Sequence, residues 1–142
     1  MILPDVNVLI YAHREDAPEH ERYAGWLQGL TASDEPFGLS DVVLAGFLRI
    51  VTHPKIFSVP SAFEEAVGFL QTIHESGLFQ EAPWTPRVRA RWQHWCRELG
   101  LHGNDVNDAY IAAIAAEARC RLVTRDGGFS RFPGLDWWNP VK

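Results

Sequence analysis

The chain has 142 residues, of which 46% are hydrophobic and 22% charged, and its net charge is −5. One domain spanning residues 1–142 is expected: a chain of this length buries roughly two-thirds of its unfolded surface, so it folds without disulfides or a structural metal, and its composition excludes disorder. The acidic balance excludes binding of nucleic acid through overall basic charge, while leaving room for an enzyme that gathers carboxylates around a cation.

No stretch approaches the ~20 apolar residues of a membrane span, and the start lacks the features of a signal peptide. Cys96 and Cys120 form no C-x-x-C pair and read as reduced thiols. The expected compartment is the cytoplasm.

In chain order, Met1 to Pro4 read as a short buried strand. Asp5 follows at once, inside the otherwise apolar LPDVNVLIYAHR, where an unpaired core carboxylate would be costly. The segment after it is open between strand and helix by periodicity, and Asn7, a good N-cap, favours a short helix. Pro18 opens a second helix with Tyr23, Trp26, Leu27 and Leu30 on its apolar face. EPFGLS suggests a second strand, and Ser40 caps the apolar helix DVVLAGFLRIVT, stopped at His53 and Pro54. Ser61 and Glu64 read as a capping box for a helix closed by Gly77. LFQEAP suggests a third strand. Thr85 and Pro86 start a helix whose Val88, Trp92, Trp95 and Leu99 share a face, and an alanine-rich helix runs from Val106. RLVT is a strand, and LDWW suggests a last one.

Strands and helices that alternate down the chain predict an α/β architecture around a mainly parallel sheet, whose ligand site lies beyond the carboxyl ends of the strands. Three acidic residues fall at that edge: Asp5 after the first strand, Asp126 two residues past RLVT, and Asp108 near the start of the alanine-rich helix. Taken singly, Asp108 also suits the helix dipole and Asp126 an ordinary turn. Together they would repel one another unless a cation sat among them. A hard divalent ion such as Mg²⁺ takes oxygen ligands and supports phosphodiester hydrolysis.

LPDVNVLIYAHR, VNDAYIAAIA and VTRDGGFSRFPGL, in this order and spacing over essentially the whole chain, resemble the PIN-domain ribonucleases, most closely the VapC toxins of bacterial toxin–antitoxin pairs. The resemblance implies a PIN-like three-layer α/β/α sandwich and a Mg²⁺- or Mn²⁺-dependent endoribonuclease that cuts RNA and is neutralised by a cognate VapB-type antitoxin. It implies metal ligation by Asp5 and Asp108, with Asp126 as the acidic residue after the late strand. Asn7 and Thr124 match polar positions that orient those carboxylates or water.

Two positions depart from the family pattern. Gly46 stands where many members carry a glutamate, leaving the cluster one carboxylate short, and Gly128 stands where an aspartate is often repeated; a single ion is expected. Asp41, five residues from Gly46 at ~100° per step, points to another side of its helix. Asp105, one turn before Asp108, partly fills the gap if the helix begins early enough, and otherwise reads as a cap or loop carboxylate.

Other features carry less. His13 and His20, with Glu15, Asp16 and Glu19, fit no standard ligand spacing and read as a solvated turn and helix start. Arg87, Arg89, Arg91 and Arg97 suit phosphate contact and a solvated helix face equally. Trp92 and Trp95 read as core or dimer-contact residues. A homodimer is the expected assembly, as the commonest oligomer in general. Two rival functions follow: a catalytically weakened PIN-like module that binds RNA or antitoxin without cutting, and an aspartate-nucleophile phosphatase. The phosphatase chemistry usually wants an aspartate where Asn7 stands and a site lysine, in a chain with only Lys55 and Lys142.

Overall fold

In the computed structural model, which describes residues 1–142, eleven regular elements alternate along the chain. They are β1 (Ile2–Pro4), α1 (Val6–His13), α2 (His20–Thr31), β2 (Phe37–Leu39), α3 (Asp41–Val51), α4 (Phe63–His74), β3 (Phe79–Glu81), α5 (Pro86–Glu98), α6 (Asn104–Glu117), β4 (Arg121–Val123) and β5 (Trp137–Trp138). The strands form one sheet in the order β3-β2-β1-β4-β5, and every neighbouring pair is parallel. Phe37, Leu39, Leu3, Leu122 and Val123 are all buried, as expected of strands covered on both faces.

The chain steps outward from β1 to β3 and then crosses back to β4. Right-handed crossovers therefore set α1 to α4 on one face and α5 with α6 on the other, giving three layers. Consistent with this, α1 packs on α2 and α3, α3 on α4, and α5 on α6. The direction of winding reverses between β1 and β4, and the carboxyl ends of these two strands open a crevice there. Pro4 stands opposite Val123 of β4. Alternation from Ile2 N, bonded to Pro36 O, and Asp5 N, bonded to Val123 O, points the proline's missing donor toward β2. In register with β2, β1 has only Ile2, opposite Phe37, so the proline costs no ladder bond.

Local chemistry explains most boundaries. Ser40 accepts from Val43 N and caps α3, which buries Val43, Phe47 and Val51 at four-residue spacing. Thr85 caps α5, and Pro86 takes its first position. In α6, four alanines and two isoleucines between Ala109 and Ala115 are buried, so small side chains let it lie close against its neighbours. Gly38 is needed in β2, since a Cβ there would sit 2.6 Å from Gln80 O.

Four expectations need correction. The N-cap of α1 is Asp5, not Asn7: the Asp5 side chain accepts from Val6 N, which leaves the Asn7 amide free for longer-range bonds. The second helix begins at His20, beyond Pro18, after Glu19 takes a left-handed φ of 57°. The Ser61–Glu64 capping box does not form, because Ser61 bonds to His13 and Arg14 and α4 starts behind Ala62 without a side-chain cap; that helix also ends at His74, short of Gly77. Finally, α6 begins two residues before Val106. No helix is long and apolar enough to cross a membrane.

Candidate active site

Asp5 is 5% exposed and sits where β1 turns into α1, its backbone N still bonded to Val123 O of β4. One carboxylate oxygen, Oδ1, accepts from Val6 N at 2.7 Å; Oδ2 accepts from Thr124 Oγ1 at 2.7 Å and from Asn7 Nδ2 at 3.3 Å. Because a carboxylate only accepts, the fully buried Thr124 hydroxyl gives its proton to Asp5. Its oxygen in turn accepts from Asp126 N at 3.0 Å and from Asn7 Nδ2 at 3.3 Å. Asn7 Oδ1 accepts from Arg125 N at 3.2 Å, so this network ties the end of β1 to the end of β4.

Asp5, Asn7, Asp108 and Asp126 line one cavity of about 270 Å³, with Gly46 and Arg49 of α3 and Asn104 and Asn107 of α6. Burial pushes the Asp5 carboxyl up to about 6; its Thr124 and Val6 bonds oppose the rise, and the negative charges of Asp108 and Asp126 add to it. The half-buried Asp108 is also raised, by burial first and further by Asp126 and Asp105, against the pull of Arg131. These carboxylates therefore share one electrostatic environment, in which Arg131 offsets only part of the negative charge on Asp108.

Hard oxygen donors of this kind suit a divalent cation. The side chains do not close around a single point, since no three His, Cys, Asp or Glu groups are assembled to hold an ion. Competing bonds explain why. Asp126 turns one oxygen back onto Gly128 N at 2.8 Å, capping the 3₁₀ turn 127–131, and Asp108 Oδ2 accepts from Arg131 Nη2 at 3.2 Å. The donor set fits a cation, and both competing bonds are to groups on a side-chain swivel or a surface turn.

Asp105 does not line the cavity. It lies on the outer side of Asp108, 3.4 Å from the same Arg131 nitrogen, so it does not fill the place of the missing glutamate. At that place a Cβ on Gly46 would lie 3.1 Å from Val6 Cγ2: α3 approaches α1 closely here, and any side chain at 46 must push Val6 aside. Arg49, Asn104, Asn107 and Arg131 were not marked by the sequence reading. Arg49 has a cue, since it stands one turn beyond Gly46; Arg131 has none, because a 3₁₀ turn brings it back.

The histidine-rich stretch forms a separate cluster. Glu15, Asp16 and Glu19 are exposed, as expected of a solvated turn and helix start, but Arg14 beside them is 8% exposed and acts as a buried staple. Its Nε and Nη2 donate to Asp16 at 2.8 and 2.6 Å, and Nη1 donates to Val59 O at 2.8 Å and Ser61 Oγ at 3.2 Å. Its guanidinium lies over Phe57, 4.0 Å from the ring centre. Burial against Phe47 and Phe69 holds the His13 imidazole below its ordinary range, with Nε2 3.0 Å from Ser61 Oγ. Trp95 is buried, whereas Trp92 is half-buried and donates to Val106 O at 2.8 Å.

Residues 2–135 match the PIN domain family. The chain is 39% identical to Ribonuclease VapC43 of Mycobacterium tuberculosis over 147 residues, covering 99% of this chain and 96% of that protein. It is 36% identical to Ribonuclease VapC25 of the same organism over 135 residues, covering 95% of each. In fold it resembles the crystal structure of VapBC2 from Rickettsia felis bound to a promoter DNA fragment, with a TM-score of 0.71 at 23% identity over 98% of both chains.

Proposed function

The chain belongs to the PIN-domain family, among the VapC ribonucleases, and from that premise we propose that it is a Mg²⁺-dependent endoribonuclease toxin hydrolysing RNA phosphodiester bonds. The observation that supports this most is the cavity at the switch point between β1 and β4, where Asp5, Asp108 and Asp126 share one lining and burial, with neighbouring negative charge, raises the carboxyls of Asp5 and Asp108. Asp5 and Asp108 would hold Mg²⁺, or Mn²⁺ in its stead, with Asp126 joining from the exposed turn. Bound there, the ion supplies positive charge for a phosphoryl oxygen and makes water a stronger nucleophile.

The chain's own residues set the stage for that chemistry. Thr124 fixes Asp5 by donating to Oδ2, and Val6 N fixes Oδ1, so this carboxylate is held in one rotamer before anything binds. Asn7 bridges Asp5, Thr124 and the Arg125 backbone, keeping the two strand ends at a set separation. Arg49 lines the cavity wall and is placed to take a phosphate oxygen. Specificity for an RNA would come from its shape and its unpaired nucleotides.

As partner we propose a VapB-type antitoxin that covers the acidic cavity and offers it positive charge, with a twofold dimer of the toxin as the assembly and the cytoplasm as the compartment. One observation favours a second reading, a PIN-like module that binds RNA or antitoxin without cutting: Gly46 supplies no carboxylate, and Asp108 is already paired with Arg131. Incubating the purified protein with structured RNA separates the two. Cleavage that requires Mg²⁺, stops with EDTA and is lost in Asp108→Asn supports the nuclease; RNA binding without cleavage at any Mg²⁺ or Mn²⁺ concentration supports the module.

A further inference from the structure

We propose that Arg131 is a built-in counter-ion at the rim of the acidic cavity, pairing with Asp108 in the metal-free protein and releasing it when a divalent ion binds. The inference rests on the cation-binding reading above and adds a residue to it. Three features carry it. Arg131 Nη2 is shared between Asp105 Oδ1 at 3.4 Å and Asp108 Oδ2 at 3.2 Å, so one nitrogen serves two carboxylates at distances long for charged hydrogen bonds. Arg131 Nε is buried with no partner at all, although guanidinium donors are normally satisfied when buried. The group thus lies where charge attracts it and where its own hydrogen bonding is incomplete.

The third feature is the space that admits it. A Cβ on Gly128 would stand 3.0 Å from Arg131 Nη1 and 3.0 Å from Asp126 Oδ1, so the absence of a side chain at 128 lets the guanidinium come down beside the turn. The 3₁₀ turn 127–131 that Asp126 caps delivers Arg131 to this point, and the guanidinium lies over Phe132, 5.0 Å from the ring centre. Contrast Arg14, whose fork closes on both oxygens of one carboxylate and whose remaining donors are used. An arginine meant as a permanent staple is bonded in that way; Arg131 is held by charge and little else.

The consequence is a competition. A cation that takes Asp108 competes with the guanidinium for its carboxylate, so Arg131 lowers the affinity of the free protein for the ion and keeps the carboxylates compatible with folding until the ion arrives. The test is Mn²⁺ binding to the full chain without RNA, read from the loss of the free-ion paramagnetic resonance signal. Arg131→Gln should bind Mn²⁺ more tightly than the wild type by about 1.5-fold to fivefold, the range for removing a partly exposed competing pair. Equal or weaker binding by the folded variant overturns the role of Arg131 and leaves the metal reading standing; failure of both proteins to bind Mn²⁺ overturns both. A second measurement needs no variant: in the wild type, the Arg131 Nε–H resonance should move as Mg²⁺ is titrated. A resonance that stays put through saturation overturns the proposal even if Arg131→Gln does not fold.

Discussion

Two charged clusters lie on α1, one at each end, and they are built in opposite ways. At the carboxyl end Arg14 is enclosed, its fork matched to Asp16 and its other donors to Val59 O and Ser61 Oγ, with Phe57 beneath it. At the amino end Asp5 is equally enclosed but carries a carboxyl pushed up to about 6 beside two further carboxylates, while Arg131, paired with one of them, has an unpartnered nitrogen. A buried charge matched by one of opposite sign holds structure together; a buried charge without such a match marks a place where something else binds. The lesson concerns burial: it is the same at both ends, and only the balance of charge tells them apart.

The sharpest way to break this comparison is Asp5→Asn. RNA cleavage should fall by more than about 100-fold, beyond what loss of a group that merely orients a ligand costs, while the protein gains stability at neutral pH. The sign follows from linkage. The folded carboxyl titrates near 6 and the unfolded one near 3.8, so the wild-type contribution is fully present below 3.8 and is lost as pH rises through 6. The loss amounts to about 3 kcal/mol, which the asparagine variant escapes. Melting curves of the two proteins from pH 4 to 8 should diverge up to about pH 6 and then run parallel, and Mg²⁺ should narrow the gap by stabilising only the wild type. Curves that stay parallel throughout would mean that Asp5 is not short of a cation.

At the other end, Arg14→Ala should destabilise the fold by about 2–3 kcal/mol, from the donors lost to Val59 O and Ser61 Oγ and the packing lost on Phe57. The folded fraction should bind Mn²⁺ as the wild type does. Denaturant unfolding together with metal titration checks both halves, and weakened metal binding would show that the two clusters are not separate. A smaller effect is expected from Thr124→Val, which removes the proton given to Asp5 Oδ2 without changing side-chain volume much. Cleavage at limiting Mg²⁺ should drop about tenfold and recover in part at high Mg²⁺, the signature of a group that orients a ligand.

Particular residues show why some of this was open to a reader of the sequence. Asp5 stood out because a carboxylate broke an apolar run, and Asp108 and Asp126 because each followed a strand or opened a helix at the edge that the alternation pattern marks. Ser40 and Thr85 announced their helices through side-chain chemistry that acts within three residues. Asn7 and Ser61 were misread as caps for a converse reason: their side chains bond across 117 and 48 residues of chain, to Thr124 and His13, and a distant partner outbids a local one when burial removes water as the alternative.

The order of apolar and polar residues was enough by itself to determine an α/β chain with a parallel sheet, the edge at which a site must lie, and the carboxylates that reach it. These follow from periodicity and strand direction, which are local. Only the tertiary structure decided which of those carboxylates would be neutralised and by what, because Arg131, Thr124 and Gly46 act through space, and charge balance inside a cavity depends on everything that folds around it.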